Sequence, residues 1–427
     1  MLARLAIGAA SAFVLALGAF GLLARGGEPA PAASIAARLP ELPPPSASTD
    51  RRIAALQAIV RARPRLEQGR VMLAAAYAQK ARESGDVQFY DKAGGLLEQA
   101  LHLDPADPAA LTERAALSLS RHDFRAGLRD ALAARRAGPG LNRPFGVLVD
   151  ALVELGRYRE AGRALQAMVD RKPDVAAYAR VSYWRELHGD LAGARAAMAL
   201  AADAAADTAD SAAWVGAQLS HLDLLRGDLA LAGRDAREAL YRVPGQPAAE
   251  AALARVEVAR GRLPAAIARL RRLVARLPLP EYVIALGETE HAAGRHAAGR
   301  RDLALARAEQ RLLSAAGVNT DAEAAVFEAD HGSPRRAVAL GRRAWAAAPS
   351  VRSADALGWA LTRAGSPRAG LRWAHRALAR GSRDPAFLAH AGVAARAAGR
   401  DGEAAPLLAA ARRSPGLSPA LAREVLR

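Results

Sequence analysis

The groups able to do chemistry are nine histidines and 43 carboxylates, and no cysteine occurs anywhere in the 427 residues. Without a thiol the chain has no thiolate nucleophile, no disulfide framework, no cysteine-ligated zinc or iron–sulfur site and no lipidated cysteine. The histidines form no metal motif. A helical zinc pair needs imidazoles at i and i+4 with a glutamate between them, whereas His291 and His296 stand five apart and are expected on different helix faces. Glu288 and Glu290, two apart, diverge on a helix and cannot act as paired carboxylates. Asp330-His331 sets an acid beside a base, but at a point where a helix is expected to end and its dipole favours an imidazolium. Neither a Gly-x-Ser-x-Gly elbow nor a phosphate-cradling glycine loop with its lysine is present. The sequence therefore predicts no enzyme, no metal and no cofactor.

Charge offers more. The chain carries 60 basic residues against 43 acidic ones, and only Lys80, Lys92 and Lys172 are lysines. Residues 26–247 are nearly balanced, with 29 basic and 27 acidic groups, while residues 248–427 hold 29 against 16. The excess reads either as an arginine coat on solvated helix faces or as a surface for an anionic polymer or an acidic partner.

Three regions position whatever acts. Leu5 to Ala24 is an uncharged run of 20 residues between Arg4 and Arg25, long enough to cross the roughly 30 Å hydrocarbon core of a bilayer. Residues 1–25 are expected to be a signal peptide or an N-terminal membrane anchor; Ala30-Pro31-Ala32-Ala33 offers small residues for cleavage. Either way the body is placed outside the cytoplasm, tethered to the inner membrane or released into the periplasm. Residues 26–50, with Gly26-Gly27 and Pro43-Pro44-Pro45, read as a disordered, extended linker. Residues 51–65 are expected to form a capping helix, 66–418 a repeat array and 419–427 a tail.

The array shows its period in proline. Pro105, Pro139 and Pro173 are spaced by 34, as are Pro244 and Pro278. Ahead of Pro105, Pro173, Pro244, Pro278 and Pro349 a small residue recurs twelve places earlier: Ala93, Ala161, Ala232, Ala266 and Ala337. A glycine stands five places before the small residue in most units (Gly156, Gly227, Gly261, Gly294, Gly332, Gly365, Gly399), as expected for a left-handed helix terminator. Two helical patterns per 34 residues resemble the tetratricopeptide repeat family, with segments such as Tyr158-Arg159-Glu160-Ala161 and Leu357-Gly358. The stretch from Tyr183 to Gly399 is also similar to exported bacterial repeat proteins of uncharacterised role. The resemblance implies an all-α, right-handed α-solenoid of about ten helix–turn–helix units.

It also implies a concave groove lined by the first helix of each unit. Carried over unit by unit, the groove positions are Tyr183, Glu186, Trp214, His221, Arg255, Glu288, His291, Arg352, Asp355, Trp359, Arg363 and Arg396. Aromatic residues and arginine dominate binding hot spots, so the set is expected to hold a protein or peptide while costing the fold little on substitution. The basic and Asn clamp of carboxylate-binding repeat proteins is missing, as are the cysteine pairs of lipopolysaccharide-assembly repeat proteins. The expected function is a non-catalytic scaffold at the cell envelope. The alternatives are binding of a polysaccharide or anionic lipid by the basic C-terminal half, or service as an accessory subunit of an envelope assembly or export enzyme. No nucleic-acid partner is expected. A tagged full-length chain should stay with membranes through carbonate and high-salt washes if residues 5–24 anchor it; a soluble form starting near Ala33 would show a cleaved signal instead.

Overall fold

The structure, a computed structural model, describes residues 42–43, 47–205 and 208–426. The proposed signal or anchor and most of the linker lie outside the described residues. A first helix, α1 (Thr49–Ala62), precedes ten helix pairs. They are α2/α3 (Glu67–Ser84, Gln88–Leu103), α4/α5 (Pro108–Ser120, Phe124–Ala137), α6/α7 (Arg143–Glu154, Tyr158–Arg171) and α8/α9 (Val175–Leu187, Leu191–Ala204). Next come α10/α11 (Ala209–Leu225, Leu229–Arg242), α12/α13 (Pro247–Ala259, Leu263–Arg276) and α14/α15 (Pro280–Ala292, His296–Ala315). The last are α16/α17 (Asp321–His331, Pro334–Ala347), α18/α19 (Val351–Arg363, Pro367–Leu378) and α20/α21 (Pro385–Ala397, Asp401–Arg413). Residues expected to be a tail instead form an eight-residue helix, α22 (Pro419–Leu426).

Several pairs are punctuated by the same chemistry. Gly189 and Gly227 take φ of 77° and 85°, and the next residue, Asp190 or Asp228, caps the second helix by accepting from the main-chain N–H of Gly193 (2.8 Å) or Leu231 (2.9 Å). Such caps contribute about 1 kcal/mol each. Prolines at the first turn, such as Pro108, Pro247 and Pro280, start helices where their missing N–H has no partner to lose. The seam works as its spacing requires. Ala93, Ala161, Ala232, Ala266 and Ala337 are fully buried, so nothing larger fits where the two helices meet.

Two turn positions depart from expectation. Gly332 is not left-handed (φ −145°); it is small because a Cβ there would lie 1.9 Å from the Glu328 carboxylate, which accepts from the Ser333 N–H. In the second pair His122 takes the left-handed conformation (φ 57°) that glycine takes elsewhere. The compensation is long-range: its Nδ1 lies 2.7 Å from the carbonyl oxygen of Asn319, whose N–H donates to Arg121 O at 3.0 Å.

That contact is one rung of a series. The turn inside each of the first five pairs touches the loop that follows the pair five units later. Gly85 lies against Leu277 and Leu279. The His122 turn meets Asn319, and Arg125 donates to the carbonyls of Ala346 and Ala347. At the third turn a Cβ on Gly156 would sit 2.1 Å from Pro349 O, while the Tyr158 hydroxyl accepts from the Val351 N–H at 2.8 Å beneath the Arg380 guanidinium. The fourth turn, Gly189, meets Gly381 O equally closely, and around the fifth Leu225 packs near Gly416. The solenoid thus winds onto itself, and its largest apolar cluster joins Phe145, Tyr158 and Tyr183 to Val351, Ala354 and Phe387.

Gly156 and Gly261 share a left-handed φ, but nothing lies within 4 Å of a Cβ added at Gly261. Gly261→Ala should therefore cost only the backbone strain, about 1–2 kcal/mol. Gly156→Ala should cost more in urea denaturation and raise the radius of gyration in X-ray scattering, because the rung must part. Equal costs with unchanged size would show that the rungs carry no weight.

Candidate functional site

Consecutive first helices are laced together by polar side chains. Between α6 and α8, Arg180 makes a two-pronged bond to Asp150 (2.9 and 2.6 Å) and also donates to Gly146 O. Glu186 of α8 lies 3.2 Å from His221 of α10, Glu288 of α14 lies 2.9 Å from His331 of α16, and Asp355 of α18 lies 2.9 Å from His390 of α20. Trp359 of α18 donates its indole N–H to Asp330 of α16 at 2.8 Å and stacks on His390 with ring centroids 4.3 Å apart. An acid on one first helix thus meets a ring on the next, one repeat later. Glu186/His221 and Asp355/His390 are both 35 residues apart, a spacing already present in the sequence.

The expected groove residues fall into three groups. Tyr183, Trp214, His221, Glu288, Asp355 and Trp359 are buried, with 8% exposure or less. Trp359, at 1%, corrects the expectation that its substitution leaves the fold intact. His291 faces its own pair rather than a groove: its Nδ1 would lie 2.1 Å from a Cβ on Gly299 of α15. It also comes within 5.6 Å of His296, because α14 ends between them and the chain reverses, which one continuous helix would not allow. The rest keep some exposure. Arg352 reaches Glu323 at 3.8 Å and acts electrostatically on Glu154 and Tyr183, so α18 meets α6 and α8 across the winding. Arg255 is pushed down to about 10 by burial. Glu186 pairs with His221, while Arg363 and Arg396 reach towards α22 at the C-terminal mouth.

A cavity of ≈ 40 Å³ is lined by His122, Glu154, Glu323, Arg352 and Ser350 among others, which suits a few waters rather than a peptide. Among the described residues no group of three or more His, Asp or Glu could hold a metal ion.

Charge in the C-terminal half sorts by layer. The first helices α14 and α16 carry seven carboxylates and no Lys or Arg, whereas the second helices α13, α17 and α19 carry arginines and no Asp or Glu. Part of this is internal stitching: Arg269 bonds Glu250 (2.5 Å) and Glu257 (3.0 Å), Arg307 bonds Glu328 (3.1 Å) and Arg343 bonds Asp321 (2.6 Å). Arg272, Arg300, Arg335, Arg342 and Arg368 are surplus, exposed and without an ion pair among the described residues.

No family model and no curated protein matches this sequence. Solved structures match its fold. A human IFIT1 dimer with m7Gppp-AAAA is 13% identical, with 77% of each chain covered and a TM-score of 0.50. TTC0263, a thermophilic TPR protein of Thermus thermophilus, is 22% identical over 47% of this chain and 99% of its own, with a TM-score of 0.38. A chain of the APC/C hetero-tetramer Cut9-Hcn1 is 13% identical over 89% of this chain and 93% of its own, with a TM-score of 0.40. With ten helix pairs stacked one after another, the fold is that of tetratricopeptide-repeat proteins: an all-α solenoid.

Several buried groups of the first-helix wall hold their protons more tightly than free side chains do. Burial opposes the charged form of His331 and His390, but Glu288 and Asp330 around the first, and Asp355, Asp330 and Asp384 around the second, raise both above the ordinary histidine value. Burial also raises Asp330, and pushes Glu281 up to about 7 from 4.5. A group whose folded pKa is raised stabilises the fold below its unfolded pKa and ceases to as pH climbs through the folded value. For Glu281 the loss falls between 4.5 and about 7; for the histidines it falls above about 6.5. The melting temperature should be lower at pH 8 than at pH 6, and His390→Gln should flatten the slope. Trp359→Ala should cost about 3–5 kcal/mol in denaturant titration, the range for emptying a buried Trp site. A cost below about 1 kcal/mol would return Trp359 to the binding surface.

Proposed function

We propose that this chain is a non-catalytic scaffold that binds a protein or peptide on the concave side of its solenoid at the cell envelope. The body lies on the extracytoplasmic side, held by residues 1–25 or released into the periplasm after cleavage. The observation that carries the reading is the C-terminal mouth of the first-helix wall. There Arg363, with a side chain 34% exposed, and Arg396 stand on successive first helices beyond the closed lumen. The described residues are spent on repeats, and what repeats supply is stacked surface. The lumen is filled by the chain's own Tyr183 and Arg352, which argues against threading an oligonucleotide through it, whatever the human neighbour holds.

A second reading is favoured by the outer wall. The surplus arginines of α13, α15, α17 and α19 face solvent, so an anionic polymer or lipid headgroup would meet them there and not in the groove. The two readings separate in one experiment: crosslinking of the full-length chain in membranes, followed by mass spectrometry at low and at high salt. The scaffold reading expects a protein captured at both salts, and weakened about 30-fold by Arg363→Glu with Arg396→Glu, on the scale of a 2 kcal/mol hot spot. Binding that vanishes with salt and with Arg335→Glu plus Arg342→Glu would favour the outer wall.

A further inference from the structure

The last helix lies against the concave wall. The apolar face of α22, formed by Leu421, Ala422 and Val425, is buried to 5% exposure or less in the cluster that also holds Trp359, Ala389 and Val393. It packs on α20 and also on α14, which belongs to the pair three units earlier. Its C-terminal end is held by three arginines from three elements. Arg363 of α18 donates to the Glu424 carboxylate at 3.3 Å, Arg396 of α20 to the Glu424 carbonyl at 2.9 Å, and Arg412 of α21 to the Val425 carbonyl at 2.8 Å.

Two of those three bonds go to main-chain carbonyls, which the last turn of any helix leaves open, and all three complement the negative end of its dipole. The arginines therefore read a helix end and one acid rather than a particular sequence. On the two helices that supply the arginines the charge agrees: α18 and α20 carry Arg352, Arg363 and Arg396 against a single acid, Asp355, which His390 engages; α14 brings three carboxylates, of which Glu288 pairs with His331 and Glu290 with Arg271. The occupant itself is slight. At eight residues α22 is the shortest helix among the described residues, and Pro415 and Gly416 lie in the short connection before it. A helix that short does not persist alone, so its place depends on the wall that receives it.

We propose that the wall formed by α14, α18 and α20 is a receptor for a short amphipathic helix with an acidic residue beside its C-terminal end, and that α22 fills it in the free chain as an internal competitor. The proposal rests on the scaffold reading and names the chemistry of the partner. It is tested with a fluorescein-labelled peptide of residues 415–427 added to the full-length chain, read by fluorescence anisotropy. The wild-type chain, with its site filled, should bind weakly. Val425→Asp in the chain should expel α22 and tighten capture at least ten-fold; adding Arg363→Glu, or using a peptide with Glu424→Arg, should remove at least ten-fold of it. A Val425→Asp chain that keeps its helical circular dichroism yet binds no better than wild type overturns the proposal, as does capture indifferent to both charge reversals. Should Val425→Asp lose helicity, Glu424→Arg in the chain weakens α22 without touching its apolar face, and the same comparison decides. Peptide capture beside an empty crosslinking experiment would support this site and overturn the scaffold reading; a crosslinked protein partner without peptide capture would overturn this site alone.

Discussion

The close backbone approach of one winding to the next is the constraint on which the rest depends. Where Gly156 passes Pro349 O and Gly189 passes Gly381 O, there is no room for a Cβ. A repeat stack is ordinarily stabilised only by nearest neighbours, so that its stability is a sum of units and interfaces. Here each of the first five units also touches a loop five units on, which turns a one-dimensional stack into a closed body. The meeting of Tyr183 with Arg352 across the winding follows from that closure.

Closure also changes what the polar residues do. In an open groove, carboxylates, histidines and arginines on first helices would stand in water and offer themselves to a ligand. Inside this winding they must satisfy one another, because a buried charge without a partner costs far more than a hydrogen bond returns. The lacing of Asp150 with Arg180 and of Asp355 with His390 is the result. The outward arginines escape this requirement, and the end of the wall at α22 escapes it in part.

Period, helix pairing and the small-residue seam were legible in the sequence because they are local. Ala161 and Ala337 each stand twelve residues ahead of a closing proline, and the helices they admit are the next ones along the chain. Glycine was half legible: Gly156 marks a turn, but its second duty, clearing the way for Pro349, has no counterpart in a 34-residue pattern. The rungs join residues 193 and 197 apart through hydroxyl, imidazole and main-chain groups that carry no periodic signal. Trp359 shows the cost of that blindness. Family register put it on the first-helix wall, while its burial was decided by Asp330, His390 and the packing of α22. The acid–histidine spacing of 35 could have been read, since it repeats in Glu186/His221 and Asp355/His390.

The fixed offset between rungs bears on how such a chain can evolve. An open repeat array changes length freely, because duplicating one unit merely adds another nearest-neighbour interface. In this chain a unit duplicated between the fifth and sixth pairs would leave the pitch unchanged but slide every long-range partner by one. Tyr158 would face a loop other than the one carrying Val351, and the gap left by Gly156 would meet whatever side chain arrived there. Copy number is therefore locked by register, and gains or losses of whole units should be confined to the ends of the array, where no later winding has to match them.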